Sequence, residues 1–320
     1  MNTHSVVADV GGTNIRLATV DKQTGELGQI KKYLCADFAT IADVVKLYFA
    51  ELDGLVKELC IAIACPVDDD LIEMTNHTWS FSQSVLKAAL SLDKLYVIND
   101  YTAISLAVPF LADDEKVQIG GGTVKDKKAI GICGPGTGLG VGHLININDK
   151  WISLDGEGGH TSFAPVAEDA RQVLAVLAEE MGHVSAERLL SGQGLENIYR
   201  ALCKLEGQDP ALATAADVSR AGLANDCPIA ARTLVVFCQG LGTFAGNLAL
   251  NLACEGGVYI AGGIVPRFID YFKTSEFRAC FEYKGRFSEY NAGIATFVVL
   301  HPDPGLFGAG VYLRQELKLI

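Results

Sequence analysis

Twice in this chain an apolar strand runs into a glycine-rich turn and leaves it as a second apolar strand. The first copy is SVVADVGGTNIRLATV, residues 5–20, and the second is KKAIGICGPGTGLGVGHLIN, residues 127–146. Strand-forming residues on both sides of a short glycine turn read as a β-hairpin. Two such hairpins, more than a hundred residues apart, point to a weak internal duplication: two similar sheets, each presenting a bare turn at its tip.

The intervening segments decide what kind of sheets these are. After a turn at DKQTGE and a third strand near GQIKKYL, the pattern IADVVKLYFAEL has helical spacing. ELCIAIA then reads as a buried strand closed by Cys65 and Pro66. Ser82 or Ser84 is placed to cap a helix through VLKAAL, and KLYVIND is a further strand with a polar end. Strands alternating with helices predict an α/β sheet with crossover connections. Beyond Pro165 the chain turns helical, through ARQVLAVLAEEM, SAERLLSG, LENIYRALCKL, ATAADVSRAGLA and the apolar stretch 230–254. One more strand, GGVYIAG, precedes GIVPRFIDYF, and PGLFGAGVYLRQEL reads as a closing helix opened by Gly305. A seam near 109–115 predicts a small α/β lobe, 1–110, and a helix-rich larger lobe, 111–300, with 301–320 crossing back to the first.

Composition removes several function classes. The 320 residues are 49% hydrophobic, ample for a core, and carry a net charge of −12. An acidic chain repels phosphate backbones, so a nucleic-acid partner is not expected. The apolar stretch 230–254 is interrupted by Arg232, Gln239, Asn247 and Asn251, which argues for a buried helix over a membrane span. The start, MNTHSVVADVGG, has neither a basic region nor a long apolar run of a secretory leader. Nine cysteines with no CxxC pair, mostly in apolar company, suit reduced core thiols and a cytoplasmic setting.

Four segments carry candidate chemistry. The first, Asp9-Val10-Gly11-Gly12-Thr13, has two readings: glycines serving the positive φ of a hairpin turn, or bare N–H groups cupping a phosphate while Asp9 attends a metal ion. The second, Gly134-Pro135-Gly136-Thr137-Gly138-Leu139-Gly140, has the same two readings, and neither segment is a GxGxxG or P-loop motif. The third, Asn99-Asp100, ends an apolar strand, where ligands of open α/β sheets bind. There Asp100 is either a base that takes a hydroxyl proton or the N-cap of the helix YTAISLAV. The fourth joins Glu157 and His160 of GEGGH with Glu187, donors and acceptors suited to a ring of sugar hydroxyls. A metal centre at these three is the weaker reading, since no cysteine or second histidine falls at ligand spacing.

Taken in order, DVGGTN, CIAIACP, MTNHTW, VIND, GPGTGLGV, GEGGH, GHVSAERLLSG, NLALNL, GGVYIAGGIVPRF and PGLFGAG cover nearly the whole length. In this set the chain resembles the bacterial glucokinases of the non-ROK type, within the sugar kinase, actin and heat-shock ATPase superfamily. The cysteine-rich zinc motif of the ROK kinases does not follow His160. The resemblance implies a two-lobed ribonuclease-H-like/actin-like ATPase fold with duplicated mixed sheets, and transfer of phosphate from ATP to the 6-hydroxyl of D-glucose, bound in a cleft. It implies Asp100 as the general base, with Asn99, Asp100, Glu157, His160 and Glu187 on the sugar. It implies ATP contacts from Ala8, Asp9, Val10, Gly11, Gly12, Thr13, Gly136, Thr137, Gly138, Gly262 and Gly263, with Ala261 beside the adenosine. It also implies Mg²⁺ held near Asp9 through water, and a homodimer.

Two positions depart from the family pattern. Ala8 stands where glycine is common, and Pro135 where alanine is common; the second fixes φ and stiffens its turn. Three rival readings remain: a kinase of another hexose, a sugar-sensing protein without catalysis, and an actin-like or chaperone ATPase. No arginine finger or P-loop lysine is evident in the motifs.

Overall fold

The computed structural model describes residues 3–74 and 77–320. Thr75 and Asn76 of the MTNHTW segment lie outside the described residues. The chain divides into two compact units. One comprises Met1–Leu111, Ile147–Ser153 and His301–Ile320; the other comprises Ala112–Asn146 and Leu154–Leu300.

The first unit begins with strands β1 (Thr3–Val10), β2 (Asn14–Val20), β3 (Leu27–Leu34) and β4 (Leu55–Ile63), with helix α1 (Ile41–Ala50) before β4. A short hairpin, β5 (Leu71–Glu73) and β6 (Ser80–Ser82), leads into α2 (Gln83–Ala89), β7 (Lys94–Asn99) and α3 (Asp100–Ala107). The five long strands form one sheet in the order β3-β2-β1-β4-β7. β1–β2 and β2–β3 pair antiparallel, whereas β1–β4 and β4–β7 pair parallel. Both faces of this sheet are covered, which is why its central strands are nearly continuous apolar runs. Val6, Ala8 and Val10 join one core with Ile41, Val44 and Leu86 of α1 and α2. Val7 joins the other with Ala103 of α3 and Leu306, Ala309 and Leu313 of the last helix.

Local capping follows the side chains. Thr40 and Asp43 form a capping box at α1, and Ser82 Oγ accepts the Val85 N–H to start α2. Asp21 Oδ1 accepts the N–H groups of Gln23 and Thr24, so DKQTGE turns about an Asx bond.

The second unit contains β8 (Lys116–Gln118), β9 (Ile130–Pro135), nearly all of β10 (Leu139–Ile147), β12 (Val258–Ile260) and β13 (Thr296–Val299), while β11 (Lys150–Leu154) falls in the first unit except for its last residue. The strands of this unit lie in one sheet in the order β10-β9-β12-β13-β8. β9–β10 is antiparallel, and β9–β12 and β12–β13 are parallel. The hairpin and its two parallel neighbours therefore repeat the β2-β1-β4-β7 pattern, and the duplication expected from the sequence is present in the strand topology. The strands β8 and β13 are absent from the sequence reading; they have only three and four residues.

Helices α4 (Glu168–Met181), α5 (Gly192–Leu205), α6 (Ala215–Leu223) and α7 (Pro228–Leu252) follow, then α8 (Ile269–Thr274), α9 (Phe277–Glu282) and α10 (Ser288–Ala292). α7 is long and apolar enough in composition to cross a membrane, but it is mostly buried within this core. Its small residues allow close packing: a Cβ on Gly242 or Gly246 would collide with the Phe277 or Phe281 carbonyl of α9. SAERLLSG is not a helix. Only Ala186–Arg188 form a 3₁₀ turn, and Ser191 caps the separate helix α5. The chain closes with α11 (Pro304–Glu316), opened by Pro304 rather than Gly305, a position where a missing N–H costs nothing. Gly308 brings α11 into backbone contact with Ala103 of α3, leaving no room for a Cβ.

Candidate active site

In the first unit the hairpin register places Asp9 opposite Arg16, one residue before the turn. Asp9 is thus a strand residue, and the turn proper is Gly11–Thr13. The Gly11 N–H donates to the Asn14 carbonyl at 2.9 Å, closing the turn. Neither Gly11 nor Gly12 has a positive φ. The conformational reading of these glycines is therefore wrong. A Cβ on Gly11 would meet only the Asn14 carbonyl, at an ordinary 3.7 Å, so packing does not demand glycine there either.

Arg16 lies with its Nη1 3.5 Å from Asp9 Oδ2 and its Nε 3.0 Å from Asp303 Oδ1. The first turn of α11 closes the other side of the Asp9 carboxylate, where a Cβ on Gly305 would stand 3.2 Å from Asp9 Cγ. Burial pushes the Asp9 carboxyl from its ordinary 3.8 up to about 6. The Arg16 charge opposes this, while the charges of Asp100 and Asp303 add to it. Asp100 therefore belongs to the same local field as Asp9. Arg16 answers the apparent lack of a cation in the motifs. Its signal was the hairpin register, since a turn closing Val10 on Ile15 must place residue 9 opposite 16.

Asn99 ends β7, and its Oδ1 accepts the N–H groups of Tyr101 (2.8 Å) and Thr102 (3.3 Å). Asn99 is the N-cap of α3, and the reading of Asp100 as that cap is corrected. Asp100 is the first helical residue, half-buried at the carboxyl end of a parallel strand. Asn99 Nδ2 also donates to the Cys65 carbonyl at 3.4 Å, fixing the strand end to the loop after β4.

In the second unit the turn Gly136–Gly138 joins β9 to β10, and again neither glycine has a positive φ. A Cβ on Gly136 would make only ordinary contact, whereas one on Gly138 would lie 2.5 Å from Glu187 Oε2. Pro135 ends β9, and its carbonyl accepts the Ile264 N–H at 3.3 Å. Ala261 N–H donates to the Cys133 carbonyl, and Gly262 packs on the Pro135 backbone where a Cβ would collide. Gly263 is exposed, with open space at its Cβ position. Ala261–Gly263 and Gly136–Gly138 are therefore neighbours.

Glu157 and His160 flank a 3₁₀ turn, with His160 Nε2 3.9 Å from Glu157 Oε2. Both side chains are exposed, at 85% and 61%. The Ala186 N–H donates to the Thr161 carbonyl at 2.8 Å, joining this turn to the segment bearing Glu187. The structure thus gathers Glu157, His160 and Glu187 around one backbone junction. Among the described residues no three His, Cys, Asp or Glu side chains form a metal-binding group.

A family model described as Glucokinase matches residues 6–316. Glucokinases of Yersinia pestis (strain Pestoides F) and Yersinia pseudotuberculosis serotype O:1b are each 50% identical to this chain, over 99% of it and 98% of the relative. A crystal structure of glucokinase from an Antarctic psychrotroph superposes with a TM-score of 0.90 at 32% identity, covering 98% of this chain and 100% of that one. A glucokinase from Balamuthia mandrillaris in complex with glucose shares the fold, with a TM-score of 0.77 at 21% identity over 98% and 94% of the two chains.

Proposed function

The chain belongs to the glucokinase family, a hexose kinase that phosphorylates glucose with ATP, and from that premise we propose that Asp100 is its catalytic base. Its fold is the α/β, actin-like ATPase fold expected from the sequence. The observation that carries the site reading is the pair of glycine turns whose glycines neither conformation nor packing requires at Gly11 and Gly136. Space kept bare against the protein's own needs suits a ligand that presses on backbone, as a polyphosphate does.

In this reading the 6-hydroxyl oxygen of glucose attacks the γ-phosphorus of ATP. The new P–O bond forms as the bond to the β-phosphate oxygen breaks, and ADP leaves with that electron pair. Asp100 accepts the hydroxyl proton. Asn99, Glu157, His160 and Glu187 hold the remaining hydroxyls, each a partner that an analogue lacking the hydroxyl would leave unsatisfied. Ala8, Asp9, Val10, Gly11, Gly12 and Thr13 contact ATP, as do Gly136, Thr137 and Gly138. Ala261, Gly262 and Gly263 lie along the adenosine.

Asp9 suits Mg²⁺: it is a hard, half-buried carboxylate, and among the described residues no three His, Cys, Asp or Glu side chains form a competing metal-binding group. Asp9 would hold Mg²⁺ through water, and the ion would supply positive charge to offset that of the transferred group. Arg16 holds a fixed positive charge beside the same carboxylate. A homodimer and a cytoplasmic setting complete the proposal; the latter is supported by nine cysteines that form no disulfide.

The substrate reading is tested by kcat/KM with Mg-ATP across glucose, mannose, fructose, glucosamine and N-acetylmannosamine. We expect glucose to exceed each of the others by at least about tenfold, the discrimination available to a site that hydrogen-bonds hydroxyls. A higher value for another sugar would overturn the hydroxyl assignments while leaving Asp100 in place.

A further inference from the structure

Glu187 is half-buried on the 3₁₀ turn Ala186–Arg188, and its carboxylate is already engaged. Oε2 accepts the N–H of Leu139 at 2.8 Å. Leu139 is the first residue after the Gly136–Gly138 turn, and Gly138 is glycine because that same carboxylate oxygen fills the space of its Cβ. A second tether joins the same segments: the Gly192 N–H donates to the Gly136 carbonyl at 2.9 Å. Between these tethers Ser191 Oγ donates to the Glu187 carbonyl at 2.8 Å and accepts the Gly194 N–H at 3.0 Å. The segment 187–192 is therefore fastened to both ends of the glycine turn.

The other face of Leu139 meets the sugar segment. Gly159, between Glu157 and His160, packs so closely on the Leu139 carbonyl that a Cβ there would collide with it. One residue, Leu139, thus receives Glu187 on its N–H and the GEGGH turn on its carbonyl. Among the described residues Glu187 Oε1 makes no hydrogen bond.

We propose that Glu187 is a positioning residue that makes sugar and nucleotide bind cooperatively. Oε2 holds the phosphate turn through Leu139, and Oε1 takes a hydroxyl of the sugar. This rests on the reading of Glu187 as a sugar contact. A hydroxyl donating to Oε1 fixes the carboxylate rotamer, and the fixed carboxylate holds the turn in the geometry that cups phosphate. Ordering achieved by the first ligand is then not repeated by the second. Linkage requires the effect to be reciprocal, and such couplings typically lie between about 5- and 150-fold.

The test is a binding cycle by calorimetry, using glucose and Mg²⁺ with a non-hydrolysable β,γ-imido ATP analogue, each titrated with and without the other at saturation. The wild-type protein should show about fivefold or greater tightening of each ligand by the other. In Glu187→Gln the neutral amide offers one acceptor where the carboxylate offers two, and the coupling factor should fall toward one. Glu187→Asp, which keeps the charge but shortens the reach, should lose coupling as well and stands in if the first variant fails to fold. Glu157→Gln should weaken glucose binding while leaving the coupling factor at saturation unchanged. Coupling that persists in both Glu187 variants, or is absent from the wild type, would overturn the proposal and leave the kinase assignment intact. Failure of the wild type to bind glucose at all would instead count against the hydroxyl assignments themselves.

Discussion

Asp100→Asn is expected to lower kcat by about 10³-fold, the middle of the range that general-base catalysis contributes, while the glucose dissociation constant changes only a few-fold. The substitution keeps the shape of the side chain and removes its ability to take a proton. The fold should tolerate it, because the helix that begins at Asp100 is capped by Asn99, whose Oδ1 already receives the Tyr101 and Thr102 N–H groups. Losing one negative charge in the first turn of α3 costs about 0.3–1 kcal/mol, too little to unfold the chain. Equal losses in binding and turnover would make Asp100 a sugar ligand and not the base. Steady-state kinetics together with glucose titration of the inactive variant separate these outcomes.

Asp9→Asn should move activity and stability in opposite directions. The Asp9 carboxyl is raised by burial from 3.8 to about 6, so the folded chain binds this proton more tightly than the unfolded chain does. An acid raised in this way costs stability in its ionised form. The cost is absent below about pH 4, grows as pH rises toward 6, and is fully present at neutral pH. A shift of roughly two units corresponds to about 3 kcal/mol at 25 °C. Asparagine removes that cost but also the partner of Arg16, so a net gain of about 1–2 kcal/mol is expected near pH 7.5, fading toward pH 4.5. Urea unfolding of the nucleotide-free, metal-free protein at the two pH values measures it; a difference that does not change with pH would refute the electrostatic account. Turnover should fall at least about 100-fold in the same variant, because the carboxylate proposed to hold Mg²⁺ is gone. Stability given up at a functional site is a common trade.

The sheet architecture was legible because it is written in periodicity. Both glycine hairpins and the helix-spaced strands ELCIAIA and KLYVIND appear where runs of apolar residues meet glycine, proline or polar ends. The short strands β8 and β13 were not legible, since three or four residues paired only by distant neighbours leave no local pattern. SAERLLSG has helical composition, yet Ser185–Gly192 is held by hydrogen bonds to Thr161 and Gly136, and those tertiary bonds override propensity.

At the candidate site the sequence left two readings of the glycine turns, positive φ or backbone bared to phosphate, and the turns do not use positive φ. Of the two readings of Asp100, the cap falls to its neighbour Asn99, because Asn and Asp are nearly equal as N-caps and only geometry separates them. Arg16 is legible only through hairpin register, which sets it opposite Asp9. Asp303 and Gly305 were not recoverable: they reach Asp9 from almost three hundred residues away, and no local spacing records that approach.

The central claim is transfer of the γ-phosphoryl group of ATP to the 6-oxygen of glucose. Its most direct test is phosphorus NMR of the purified protein incubated with Mg-ATP and glucose, with a sugar-free control. The account predicts glucose 6-phosphate appearing in a one-to-one ratio with ADP, and no ADP above background without sugar. ADP formed with inorganic phosphate instead, whether or not glucose is present, would contradict it.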